Sequence, residues 1–148
     1  MPTPSSSDDK WMRLLFVQVK TIAVVGLSHQ EAKASYEVAS YLKQNGFRII
    51  PVNPTSGVIL GEAVYPDLGS IPVPIDLVNV FRPSEACADI VRQALPLKPQ
   101  AIWLQLGIEN SAASELAAAA GIPLVSNRCI KIEHHRLLGE KVIKTSDL

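Results

Sequence analysis

Neither sign of charge prevails in this sequence: 14 lysines and arginines face 14 aspartates and glutamates in a chain of 148 residues. Without a basic field there is no source for non-specific attraction to a phosphate backbone, so nucleic acid is not an expected partner. Long apolar runs are missing as well. None approaches the roughly 18 residues that span a bilayer, and the polar start from Met1 to Lys10 lacks the apolar stretch of a signal peptide. The expected location is the cytoplasm, away from membranes. Cysteine is scarce: Cys87 and Cys129 are too few and too far apart for a disulfide scaffold or a zinc knuckle, and read as free thiols. His134 and His135 are consecutive, so on a helix they would diverge by about 100° and not chelate one metal. With Glu133 they read as a surface turn, and no metal site is expected.

Two nucleotide signatures are absent. The dinucleotide fingerprint needs three spaced glycines and an acidic residue closing the second strand, but only Gly26 fits and the second strand ends in Val52-Asn53-Pro54. A Walker A loop is missing too, which removes the case for nucleoside triphosphate hydrolysis. There is no internal repeat.

What is present is enough for one globular domain, since 47% of the residues are hydrophobic. The tail through about Asp9 is expected to be disordered, leaving residues 10–148 as the domain. Trp11, Leu14, Leu15 and Val19 have helical spacing and predict a lid helix over 11–19. Five short β-rich runs follow: Thr21 to Gly26, Arg48 to Asn53, Asp76 to Phe81, Ala101 to Gln105 and Ile122 to Ser126. Most are near-continuous apolar runs, as strands covered on both faces should be.

Helices are expected between them. Ser35 to Asn45 ends at Gly46, a left-handed stop; Ser84 to Leu95 starts after Pro83 with Glu85 in its first turn; Ser111 to Ala120 stops at Gly121. Each begins with a serine read as its N-cap. The link from Pro54 to Ile75 holds seven prolines and glycines before Ile75 and predicts turns with one short strand near Val64. The alternation specifies an α/β fold, a Rossmann-like three-layer arrangement on a mostly parallel sheet of about five strands. In such sheets the ligand sits at the carboxyl ends of the strands, where strand order reverses. An order of 3-2-1-4-5 would place strands one and four beside that crevice.

The strand-end turns carry the candidate chemistry. Gly26-Leu27-Ser28 permits close backbone approach, and Ser35 marks a helix start whose N–H groups and dipole favour an anion. Lys33 can add charge toward a phosphate. Arg82, after the third strand, can clamp a phosphate with two donors. Asn79, inside that strand, reads as a satisfied buried polar group. His29 in the first loop either faces the crevice or is structural. Cys129 sits beside Arg128 and Lys131, which would favour a thiolate; the alternative is a small core residue. Cys87 reads as core.

In order along the chain, Ile22-Ala23-Val24-Val25-Gly26-Leu27-Ser28, Ser35-Tyr36, Tyr41-Leu42, Gly46, Ile50-Pro51-Val52-Asn53-Pro54, Gly61-Glu62, Tyr65, Leu68, Phe81-Arg82, Trp103-Leu104-Gln105-Leu106-Gly107, Gly121, Arg128-Cys129 and Lys131-Ile132-Glu133-His134 resemble the stand-alone bacterial CoA-binding domain proteins. That family is similar in fold to the CoA-binding N-terminal domain of the succinyl-CoA synthetase α subunit. The resemblance implies coenzyme A or a short acyl-CoA as ligand. By motif it is held by Gly26, Leu27, Ser28 and Ser35, then Asn53, Pro54 and Ser56, then Arg82, then Gln105 and Gly107. Cys129 matches in place a cysteine near the synthetase's last CoA loop. The synthetase's phosphorylated histidine lies in a second domain that this chain ends before, and no complete catalytic constellation is present. The expected function is therefore a binding module: a carrier, a sensor, or a partner to an enzyme or to a second copy. Two rivals are an NAD(P)-dependent oxidoreductase, favoured by fold alone, and a thiol-redox protein using Cys129, which lacks a nearby resolving cysteine.

Overall fold

The computed structural model describes residues 9–139. Most of the expected tail therefore lies outside the described residues, as does the end of the chain from residue 140, but Asp9 opens a helix. That helix, α1 (Asp9–Gln18), buries Met12, Leu15 and Phe16. It is followed by β1 (Thr21–Val25), α2 (Ala34–Gln44), β2 (Arg48–Val52), a small hairpin of β3 (Val58–Ile59) and β4 (Glu62–Ala63), β5 (Leu77–Val80), α3 (Cys87–Ala94), β6 (Ala101–Leu104), α4 (Ser111–Ala119), β7 (Leu124–Val125) and α5 (Ile130–His134). Short 3-10 turns occupy Leu68–Ser70, Ser84–Ala86 and Leu95–Leu97, and a π-helical turn, His135–Gly139, follows α5. No helix among the described residues is long and apolar enough to cross a membrane.

Five of these strands form one sheet in the order β2-β1-β5-β6-β7, and every pairing in it is parallel. Counting only these five, the order is 2-1-3-4-5 and not 3-2-1-4-5. The reversal thus lies between the first and third strands, and strand four is displaced from the crevice by one position. Continuous apolar runs say that a strand is covered on both faces, not which strand lies beside it.

Side chains alternate between two cores. Ile22, Val24, Ile49, Leu77, Ala101 and Trp103 face one, under α1, α2 and α5. Ala23, Val25, Ile50, Val78, Ile102 and Leu104 face the other, under α3 and α4. Burying each of the larger side chains is worth roughly 1.5–3 kcal/mol, which is why both faces of the sheet are closed by helices. Trp103 is fully buried, and its Nε1–H donates to the Arg128 carbonyl at 2.8 Å, so its polar atom is satisfied.

None of the three serines read as N-caps holds a cap position. Lys33 holds the cap position of α2 without a side-chain bond, and Pro83 precedes the 3-10 turn before α3. Asn110 caps α4 by accepting from Ala113 N at 2.8 Å. Gly46 and Gly121 do take left-handed conformations after their helices, with φ of 95° and 73°. The Pro54–Ile75 link is turns around the β3–β4 hairpin, tied to the sheet by a parallel bridge from Val52 to Tyr65.

In place of the turn expected at Glu133-His134-His135, the first two residues end α5 and His135 opens the π-helical turn. Both Glu133 and His134 are buried, because each has partners that replace water. Arg128 and Arg136 hold the Glu133 carboxylate, and Tyr41 OH lies 2.7 Å from His134 Nδ1.

Candidate functional site at the carboxyl edge of the sheet

The strand ladder runs without a break into the first loop. Gly26 N donates to Val52 O and Phe81 N to Val25 O, each at 2.8 Å, so the three chain segments leave the sheet at one level. Gly26 has φ 88°, a conformation that costs a side-chain-bearing residue about 1–2 kcal/mol. A Cβ there would also lie 2.9 Å from Phe81 O and 3.0 Å from Arg82 Cδ. Glycine is therefore what lets the third strand's turn close over the first.

Beside this contact is a crevice of about 300 Å³. Val25 and Val52 floor it where β1 and β2 end; Pro66 and Leu68 form one wall, and Ala86 and Ile90 the other. Asn53-Pro54 and Arg82 stand at its rim with Asp67 and Asp89. It is an apolar slot with one cation and two carboxylates, of a size for a planar ring and a sugar. No residue of α1 lines it, so the helix expected as a lid does not cover this site.

Of the residues singled out in the sequence, Gly26, Asn53, Pro54 and Arg82 meet at this crevice. The others divide between support and the opposite face of the sheet. Leu27 is buried in the α2-side core. Ser28 N donates to Ser35 Oγ at 3.0 Å, and Ser28 Oγ accepts from Gln30 N at 3.0 Å, so the two serines brace the loop against the first turn of α2. Asn53 does the same for the second loop: its Nδ2 donates to Leu27 O at 2.9 Å and its Oδ1 accepts from Thr55 N at 2.8 Å. Lys33 and Ser56 are exposed. His29 bonds the Thr55 carbonyl through Nε2 at 2.9 Å, linking the two loops.

On the α2 side, Gln105 is buried, and its Oε1 accepts from Asn79 Nδ2 and from Ile130 N, both at 3.3 Å. Asn79 is only half satisfied: its Oδ1 is buried without a partner. Gly107, at φ 84°, donates its N–H to Asn127 Oδ1 at 2.7 Å, joining the last two strand-end loops. Cys129 is half-buried at the cap position of α5. Its cationic neighbours are engaged, Arg128 by Glu133 and Lys131 by Glu37. Cys87 is core: its S–H points to Pro83 O, and burial, with a smaller push from Glu85, raises the thiol pKa.

Sequence reasoning missed the walls. Pro66-Asp67-Leu68 and the α3 residues Asp89, Ile90 and Gln93 line the crevice. One signal was available: Asp67 with Ser70 three residues on forms a capped turn, the Asp67 carboxylate accepting from Ser70 N at 2.9 Å.

The model of a family described as CoA binding domain matches residues 20–135. The uncharacterised protein YneT of Bacillus subtilis (strain 168) is 34% identical over 134 residues, which cover 90% of this chain and 97% of that protein. A Thermus thermophilus protein of solved structure has 36% identity and a TM-score of 0.86, with coverage of 88% of this chain and 99% of its own. The ADP-forming acetate–CoA ligase II of Archaeoglobus fulgidus is 33% identical over 76 residues; these are 50% of this chain but 11% of the ligase.

Proposed function

The chain belongs to the CoA binding domain family, and on that premise we propose that it binds coenzyme A or a short acyl-CoA across the carboxyl edge of its sheet, as a module with no chemical step of its own. The observation that carries this reading is the close approach of Gly26 and Arg82 at the reversal of strand order, beside a crevice sized for a nucleoside. The groups present fit the cofactor. The adenosine portion suits the apolar slot, where Asp67 and Asp89 can accept from ring or sugar donors. The phosphates suit the close-packed turn at Gly26, the first turn of α2 with Lys33 beside it, and the Arg82 guanidinium. Asn53, Pro54 and Ser56 shape the adjoining loop. The pantetheine arm would then cross the edge past Gln105 and Gly107 toward Cys129. When bound, coenzyme A supplies a thiol or thioester; this chain's residues hold and orient it.

Cofactor choice follows from Asn53. At the end of β2, where a nicotinamide dinucleotide site needs a carboxylate for the ribose, this chain has an amide already committed to Leu27 O and Thr55 N. That disfavours NAD. A module that holds coenzyme A without reacting it would serve as a carrier, a sensor or the partner of an enzyme. Calorimetry at neutral pH tests the reading: coenzyme A gives a saturable heat and NAD or NADP does not. Saturable binding of NAD with none of coenzyme A would overturn it.

A further inference from the structure

A second cavity, of about 360 Å³, lies at the opposite edge of the sheet. It opens between the end of α1, the turn into β2 and the end of α5. Phe16, Val19 and Phe47 give it an apolar lining; Lys20 and His134 are its basic groups. With a five-residue strand between them, it and the Gly26 crevice are about 16 Å apart along β1.

His134 makes this more than a packing gap. It is 5% exposed, and three aromatic rings meet its ring edge-on: Phe16 at 5.2 Å, Tyr41 at 5.4 Å and Phe47 at 5.5 Å. Tyr41 fixes Nδ1, yet Nε2 makes no hydrogen bond among the described residues. Nε2 is not a buried orphan, which among the described residues is true of Asn79 Oδ1 alone; it is reached from the cavity, where a ligand can take the place of water. Where the Tyr41 hydroxyl donates to Nδ1, the imidazole proton sits on Nε2 and is offered to the cavity.

One carboxylate lies close by, that of Asp76, which accepts from Lys20 N at 2.9 Å and Thr21 N at 3.0 Å but does not line the cavity. The Lys20 ammonium has no ion-pair partner among the described residues. From α5, Lys131 lies over the Tyr41 ring at 5.5 Å, and His135 adds to the burial that keeps His134 neutral. Glu133 is consumed by Arg128 and Arg136, Glu37 on α2 by Lys131, and Arg48 on β2 by Glu62. No carboxylate lines the cavity.

We propose that this cavity is a second ligand site, for a small monocarboxylic acid with a compact apolar body. Its carboxylate accepts from Lys20 and from His134 Nε2, and its tail lies against Phe16, Val19 and Phe47. The site is distinct from the crevice at Gly26, with α5 running between the two edges: its first residue is tied to Gln105 and its last is His134.

The test uses benzoate and hexanoate as probes, benzamide as the uncharged control, and the exposed-rim variant Lys20→Gln. Calorimetry should show saturable binding of the acids but not of benzamide, with affinity about tenfold lower in Lys20→Gln and coenzyme A binding unchanged by that substitution. Imidazole NMR should show the His134 ring signals moving on titration with benzoate. The proposal is overturned by absence of binding, by equal binding of benzoate and benzamide, by an unaltered affinity in Lys20→Gln, or by a static His134 ring. Stoichiometric displacement of benzoate by coenzyme A would overturn it too, by placing the acid at the other edge. Failure of coenzyme A to bind would leave the acid-against-amide comparison, the Lys20→Gln effect on it and the imidazole signals intact.

Discussion

Gly26 and Arg82 are packed so closely that a methyl group on the glycine would sit 3.0 Å from Arg82 Cδ and 2.9 Å from the preceding carbonyl of Phe81. Two penalties therefore fall on Gly26→Ala, the left-handed backbone and the collision with the turn after β5. The variant is expected to lose about 1–3 kcal/mol of stability in urea unfolding and at least roughly tenfold in coenzyme A affinity. Wild-type affinity in the folded variant would remove Gly26 from the site.

Arg82 itself is exposed and makes no ion pair among the described residues. Arg82→Ala should leave stability within about 0.5 kcal/mol of wild type, since no hydrogen bond or ion pair of the guanidinium is lost. Coenzyme A affinity should fall by about tenfold or more, the worth of a charge-assisted contact to phosphate, and should become less sensitive to salt. Desphospho-analogues of the ligand would lose correspondingly less.

Ser35 separates a bracing role from a contact role. Its Oγ accepts from Ser28 N at 3.0 Å, so Ser35→Ala strands that N–H and should cost about 1–3 kcal/mol of stability with a smaller loss in affinity. Ser35→Glu puts a negative charge at the first turn of α2, and its coenzyme A affinity should drop at least roughly tenfold. Equal affinities for the Glu and Ala variants would move the phosphates away from that turn.

The five strands were legible because parallel strands buried on both faces are written as unbroken apolar runs, and the α/β reading follows from their spacing. Their order was not, for the same reason: Val24 and Asn79 are neighbours in register, but nothing in either run names the other. Helix starts were misread by one or two residues because serine competes with nearby groups. Ser35 turns back to Ser28, Ser84 accepts from Glu109 N at 3.1 Å, and Asn110 takes the cap that Ser111 was expected to hold. The helix at α5 was hidden by its polar core face. Ile130, Glu133, His134 and Leu137 have helical spacing and are all buried, but two of the four are ionisable, and only the arginines and Tyr41 make their burial tolerable. The crevice's glycine and arginine were visible in the sequence; its walls were not, because Asp67 and α3 reach it only through the tertiary fold.

Acid should destabilise the protein in two separate steps. Burial, reinforced by His135, keeps His134 below its ordinary 6.5 in the folded state. As pH falls below about 6.5 the unfolded chain takes up a proton that the folded one refuses, so stability declines until the folded-state pKa is passed. Glu133 behaves oppositely in origin but not in sign. Burial pushes its carboxyl up, and hydrogen bonds from Arg136 and Arg128 outweigh this and hold it below its ordinary 4.5. Its contribution is present above 4.5 and is lost as pH falls through the lowered folded value. Urea midpoints measured from pH 8 to 3 should show both declines, and His134→Gln should flatten only the upper one. A profile level from pH 7 to 5 would contradict the neutral, buried imidazole.

Cys129 and Cys87 should differ sharply toward the disulfide of coenzyme A. If the pantetheine arm runs past Gly107 to the last loop, its sulfur arrives beside Cys129, which is half-buried, whereas Cys87 is fully buried with a raised thiol pKa and is out of reach. In the exchange the Cys129 thiolate attacks one sulfur of the coenzyme A disulfide, the S–S bond breaks, and one coenzyme A leaves as thiolate. Arg128 and Lys131 lend this step little, because Glu133 and Glu37 already occupy them; selectivity must come from the bound arm's position. Intact mass after incubation should show one adduct, lost on reduction and absent in Cys129→Ser. It should also be weakened in Arg82→Ala, where the nucleotide end is held less firmly. An adduct that survives in Cys129→Ser would reassign it to Cys87 and require that α3 open, and no adduct in the wild type would place the arm elsewhere along the edge.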